Sequence, residues 1–324
     1  MQKITKKWLS MATVAVLTLG LLSGCGTAPT TPSNGTSSTP AKQVKVGFSL
    51  STLNNPYFVT VKQGAEAEAK TLGYTLTVAD AQNESSKQAS DIENFISQKV
   101  DMIIVNPVDG QAVVPAILEA NKANILVITW NRKANGGTVA AHISFDEIKT
   151  GTMQGEEVAK VLNGKGNIAE LLGTTGTDVA ADRSKGFEDT IKKSPGIAIV
   201  AKLTAKFDRA TGMKVMEDIL QAHPDINAVF AANDEMALGA ISAIEAAGKS
   251  AQIKVFGVDA TDEGLAALKA GKLVADVSLP PYFFGKQALE VTKQVLDGTL
   301  KEKTIIVPST LVTKENVDQL KTKD

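Results

Sequence analysis

VKVGFSLSTLNNPYF, residues 44–58, holds an apolar run, a polar corner and the start of a helix within fifteen residues. Val44 to Leu50 has the length and composition of a buried strand. Asn55 followed by Pro56 marks a helix start, because an Asn side chain caps free amides and Pro suits the first helical position. The same rhythm recurs down the chain. Further strands are expected at 74–79, 102–105 and 125–129, then at 167–172, 197–203, 228–231, 254–257 and 274–278. Helix starts fall between them, at Ser85 with Ser86 and at Asp208. Short apolar runs alternating with amphipathic stretches predict an α/β fold, a parallel sheet with helices on both faces.

About 280 ordered residues divide more naturally into two doubly wound domains than into one sheet. The break is expected near Phe145 and Asp146. No long loop separates the halves, so short hinges are expected there.

The N-terminus is a different material. Lys3, Lys6 and Lys7 precede a mostly apolar run from Trp8 to Leu22, the layout of an export signal over residues 1–24. The run is shorter than a transmembrane helix and carries Ser10, Thr13 and Thr18. Leu22-Ser23-Gly24-Cys25 resembles a bacterial lipobox, which makes Cys25 the expected lipidation site and membrane anchor. Residues 25–42 are rich in Thr, Ser, Pro and Gly and read as a flexible tether. The mature protein is thus expected outside the cell, on the outer face of the plasma membrane or in a periplasm, and an anchored capture protein implies a membrane partner. Cys25 is the only cysteine, so no intramolecular disulfide forms.

A formal net charge of -1, two Trp and three Tyr give neither the positive field nor the stacking platform of a nucleic-acid binder. His142 and His223 are the only histidines and lack acids or thiols at ligand spacing, so neither metal site nor triad is expected. Their plain reading is a packed or capping imidazole. Leu171 to Gly176, LLGTTG, lacks the Lys and full glycine pattern of a phosphate loop. No catalytic residue or cofactor is expected.

In open parallel sheets ligands sit past the carboxyl ends of strands. There the sequence places Asn54, Asn55, Tyr57, Phe58, Asn106, Asn131, Arg132, Asn233, Asp234 and Asp259, with Arg183 and Phe207 near helix starts. Amides, acids and guanidinium groups serve the paired donors and acceptors of a sugar, and aromatic rings cover its C–H faces. Singly, each Asn or Asp could equally be a helix cap, and each ring a core residue. Their convergence on one rim is what indicates a sugar.

These residues resemble the ribose-binding protein family, the type I periplasmic sugar-binding proteins. The signature stretches are Ser51 to Phe58, Ile104 to Pro107, Ala222 to Asp225 and Asn233 to Ala240, within a likeness from about Val44 to Lys314. The resemblance implies two similar lobes joined by three crossings, near Phe145/Asp146, Leu279/Pro280 and Val307/Pro308. It divides the chain into 43–145 plus 280–307 and 146–279 plus 308–324. It places sugar contacts on Asn55, Tyr57, Phe58, Asn106, Asn131 and Arg132, and on Arg183, Phe207, Asn233 and Asp259, with Trp130 and Leu279 as further wall residues. Asn131 stands where ribose binders have Asp, and Leu279 where they have Gln, so a hexose, a deoxy sugar, a polyol or another pentose enters beside ribose, which ranks first. The implied function is that of a monomeric solute-binding lipoprotein of an ABC importer, handing a monosaccharide to permease subunits. A sugar or furanosyl-signal sensor serving a membrane receptor is the alternative.

Overall fold

A computed structural model describes residues 43–321. The signal segment, the tether with Cys25 and residues 322–324 lie outside the described residues.

The chain forms two six-stranded sheets. The first holds β1 (Lys45–Leu50), β2 (Thr75–Asp80), β3 (Met102–Val105), β4 (Leu126–Trp130), β5 (Ala141–Phe145) and, late in the chain, β11 (Thr304–Val307). Their order is β11-β5-β4-β3-β1-β2, all parallel. The second holds β6 (Lys165–Leu172), β7 (Gly196–Thr204), β8 (Ala228–Ala231), β9 (Lys254–Asp259), β10 (Ala275–Ser278) and β12 (Thr310–Thr313). Its order is β12-β10-β9-β8-β6-β7, and only β12 is antiparallel. Setting aside β11 and β12, both sheets share one order, in which direction reverses between β1 and β3 and between β6 and β8. A crevice opens at such reversals, on the carboxyl side.

The helices begin where local chemistry tells them to. α1 (Pro56–Leu72) starts with Pro56, and the Asn55 side chain accepts from the Tyr57 amide at 2.8 Å. Asp208 likewise caps α6 (Arg209–Ala222), accepting from the Thr211 amide at 2.7 Å. α2 (Ser85–Ser97) departs from expectation: Ser85 is its first helical residue, and the preceding Glu84 makes no capping bond through its side chain. α3 (Val114–Lys122) completes the first series. The second contains α4 (Glu147–Val161), α5 (Asp178–Ile191), α7 (Asp234–Ala246) and α8 (Asp262–Lys269). α9 (Pro281–Leu296) returns to the first half by lying against α1: a Cβ on Gly64 would collide with the Tyr282 carbonyl, and one on Gly285 with the Val61 carbonyl. The chain therefore passes between halves three times, from β5 to α4, from β10 to α9, and from β11 to β12.

Each half has its own aromatic core. In the first, Trp130 stacks on Phe284 at 4.1 Å and meets the edge of Phe48 at 5.6 Å. In the second, Phe187 stacks on Phe230 at 4.2 Å. Burying such a ring contributes roughly 1.5–3 kcal/mol. β5 was not among the expected strands because His142 and Ser144 interrupt its apolar run; both are buried, and His142 Nδ1 bonds the Thr129 hydroxyl at 2.9 Å. No helix among the described residues is long and apolar enough to cross a membrane.

Candidate functional site

A cavity lies between the carboxyl ends of the two sheets, where ligands sit in open parallel sheets. From the first half it is lined by Asn55, Tyr57, Phe58, Asn131 and Arg132. From the second come Arg183, Phe207, Asn233 and Asp259, with Val179 and Leu279 as its apolar patches. The halves touch around it, where the Lys133 amide donates to Asp178 Oδ1 at 3.2 Å.

Capping and cavity lining coincide. Asn55 and Asn233 each spend their side-chain oxygen on a helix amide, Asn233 accepting from Met236 at 3.0 Å while its Nδ2 donates to the Phe207 carbonyl at 3.5 Å, and both line the cavity. Three lining residues hold left-handed backbone, Asn131 at φ 62°, Phe207 at φ 59° and Asp259 at φ 123°. Such conformations cost energy and concentrate at functional sites. The Phe207 ring packs over Gly173, where any Cβ would strike it. That close approach gives Gly173, the first glycine of the LLGTTG stretch, a reason unrelated to phosphate.

Arg132 is nearly enclosed, with Nη1 donating to the Pro107 carbonyl at 3.0 Å and its guanidinium 5.8 Å from the centre of the Phe207 ring across the cavity. Nε finds no partner, and burial lowers the guanidinium pKa to about 10. Arg183 is held from inside its own half: Nε and Nη2 donate to Glu147 Oε2 at 2.8 and 2.6 Å, and Nη1 donates to the Ala232 carbonyl. Burial first, and then the Asp234 charge, push the Asp259 carboxyl well above the usual range. The Tyr57 hydroxyl is buried with no partner in the protein, and burial raises its pKa. A guest hydroxyl is the natural complement to such a group, because it donates and accepts at once.

Two expected site residues lie off the wall. Asn106 is fully buried behind it: Oδ1 accepts from the Ser51 amide at 3.2 Å, while Nδ2 donates to the Trp130 carbonyl at 3.2 Å and Asn131 Oδ1 at 3.4 Å. It positions Asn131. Trp130, expected as a wall residue, is instead core, fully buried, with Nε1 donating to the Phe284 carbonyl at 3.2 Å; side chains alternate along β4, and its side faces the packing layer. Asn54 borders an adjoining cleft with Thr52 and Asn83. Asp234 stands behind Asp259, accepting from the Thr261 amide and hydroxyl at 2.8 and 2.7 Å. Glu147 and Val179 were missed. An acid in the first turn of a helix reads as a complement to the helix dipole, and only the partner 36 positions away shows otherwise. Among the described residues no cluster of acids and histidines fits a metal ion.

Paired sheets of this order, with a polar and aromatic cavity between them, define a two-lobed solute-binding protein. Residues 46–300 match the periplasmic binding protein domain, and the chain belongs to that family. It is 40% identical over 306 residues to the ribose import binding protein RbsB of Bacillus subtilis (strain 168), covering 94% of this chain and 99% of that protein. It is 39% identical over 270 residues to RbsB of Escherichia coli (strain K12), covering 83% and 90%. Among solved structures it resembles an ABC transporter solute-binding protein from Bacillus halodurans C-125 with bound myo-inositol, with TM-score 0.81, 39% identity and coverage of 86% of this chain and 96% of that one. An ABC transporter periplasmic solute-binding protein from Actinobacillus succinogenes 130z with bound D-allose follows at TM-score 0.81 and 30% identity, covering 86% and 100%.

Proposed function

We propose that this chain captures a neutral monosaccharide or cyclic polyol in the cavity between its halves and delivers it to the permease of an ABC importer, performing no chemistry on it. The observation that carries the reading is the cavity wall itself, to which each sheet contributes a guanidinium, amides and aromatic ring surface, and the second adds a carboxylate. Each neutral hydrogen bond contributes only about 0.5–1.5 kcal/mol, and each to a charged group about 1.5–3, so affinity requires donors and acceptors from both halves at once. Segments 43–145 plus 280–307 and 146–279 plus 308–324 then act as two lobes that close on the guest, and the closed pair is what the permease reads.

Leu279 on the wall offers no hydrogen bond, and Asn131 a weaker acceptor than a carboxylate. Both favour a guest whose hydroxyls differ from those of ribose, though ribose heads the panel to be tested. Calorimetric titration with pentoses, hexoses, cyclic polyols and furanose sugars is the direct test. A dissociation constant tighter than about 1 mM, or about 4 kcal/mol, is expected for at least one; weaker binding by all of them contradicts sugar capture.

Cys25 anchors the protein through acyl chains on the outer membrane face in this reading, with residues 25–42 as its tether. In cells, Cys25→Ser is expected to lose radiolabelled palmitate and leave the membrane fraction. Retention of both speaks against the anchor.

A further inference from the structure

Glu147 is unlike the other groups around the cavity, because its partner is an arginine that a guest would otherwise use. A guanidinium clamps a carboxylate through two parallel N–H bonds. On Arg183 the Nε and Nη2 edge is already taken by Glu147 Oε2, at 2.8 and 2.6 Å, and Nη1 is turned to the Ala232 carbonyl. Glu147 Oε1 is buried without a partner, so the carboxylate is only half satisfied by this pairing. Its charge reaches the wall: the Tyr57 hydroxyl and the Asp259 carboxyl, both lining residues, are each pushed toward the neutral form in part by Glu147. With these donors of Arg183 engaged, a guest carboxylate would find its fork occupied and the Glu147 carboxylate beside it.

We propose that Glu147 sets the charge selectivity of the cavity, occupying the fork of Arg183 so that uncharged sugars and polyols are accepted and carboxylate-bearing sugars are rejected. The proposal rests on the sugar-capture reading and goes beyond it by naming a positioning residue that acts through Arg183. A buried acid with a merely structural role has no bearing on which guest is preferred.

The test uses the full chain and its Glu147→Gln variant, titrated with D-ribose, D-galactose and myo-inositol and with D-ribonate, D-galacturonate and D-glucuronate. For the unmodified protein, every anion is expected to bind at least 100-fold more weakly than the best neutral compound. For folded Glu147→Gln, at least one anion is expected to gain tenfold or more, while the best neutral compound loses less than tenfold. An anion bound by the unmodified protein as tightly as a neutral sugar overturns the proposal, and that arm needs no variant to fold. So does a folded Glu147→Gln that weakens all guests together with no gain for any anion. Failure of every neutral compound in the wider panel of pentoses, hexoses, cyclic polyols and furanose sugars brings down the sugar-capture reading instead, and this proposal with it.

Discussion

The half built on the first sheet presents amides, rings and one guanidinium to the cavity and braces the wall from its own backbone, through Asn106 to Ser51 and Trp130 and through Arg132 to Pro107. The second half presents Asp259 with Asp234 and Asp276 crowded behind it, and Glu147 against Arg183, all buried. Asp234 and Asp276 hydrogen-bond each other side chain to side chain, and burial raises both pKa values, that of Asp234 to about 6. Buried carboxylates held this way cost stability, whereas a preorganised amide network does not. The second half thus packs buried carboxyls behind its wall, whereas the first half's unpartnered wall groups are the Tyr57 hydroxyl and Arg132 Nε.

The largest expected effect follows from that contrast. Asp259→Asn should lose sugar affinity by 100-fold or more, yet raise the melting temperature of the free protein by about 2 °C or more, since each kcal/mol relieved is worth about 2–4 °C at this size. A fall in melting temperature without sugar would show that the carboxylate is not under strain. Asn106→Ala, in the first half, should do the reverse in kind. It should weaken sugar binding about tenfold and also lower the melting temperature, because the buried Trp130 carbonyl and Ser51 amide lose their partner. Thermal melts with and without ligand separate the two behaviours.

The halves should also respond oppositely to acid. Burial raises Glu170, on β6, to about 7, against about 4.3 for the unfolded chain. Its stabilising contribution is full below the unfolded value and is lost as pH rises through about 7. Burial lowers His142, on β5, to about 4, so its contribution is present above about 6.5 and is lost as pH falls through about 4. Glu170→Gln should therefore flatten the decline of melting temperature between pH 4.5 and 7, and His142→Gln the decline below pH 6. Melts across pH 3.5–8 check both signs. The smallest effect concerns selectivity: Asn131→Asp with Leu279→Gln should improve ribose affinity a few-fold, and an unchanged value would remove those positions from the recognition surface.

Most of the strands were legible because buried parallel strands are unbroken apolar runs, as at Met102–Val105 and Ala228–Ala231. β5, β11 and β12 were not: Ala141–Phe145 carries His and Ser, and Thr304–Val307 and Thr310–Thr313 are four-residue edge strands with exposed positions. The cavity wall was legible because its residues follow strand ends, where Asn55 and Asn233 both cap a helix and line the cavity. Trp130 misled because strand alternation decides which side a residue faces, and a register of one position separates wall from core. Glu147 was illegible because its meaning lies in a contact with another helix.

The central claim is that groups from both sheets close on one guest, and a crystal structure with the bound sugar tests it most directly. The account predicts guest hydroxyls within about 3.2 Å of both the Arg132 guanidinium and the Asp259 carboxylate. A guest held by one half alone, or seated away from these residues, would contradict it.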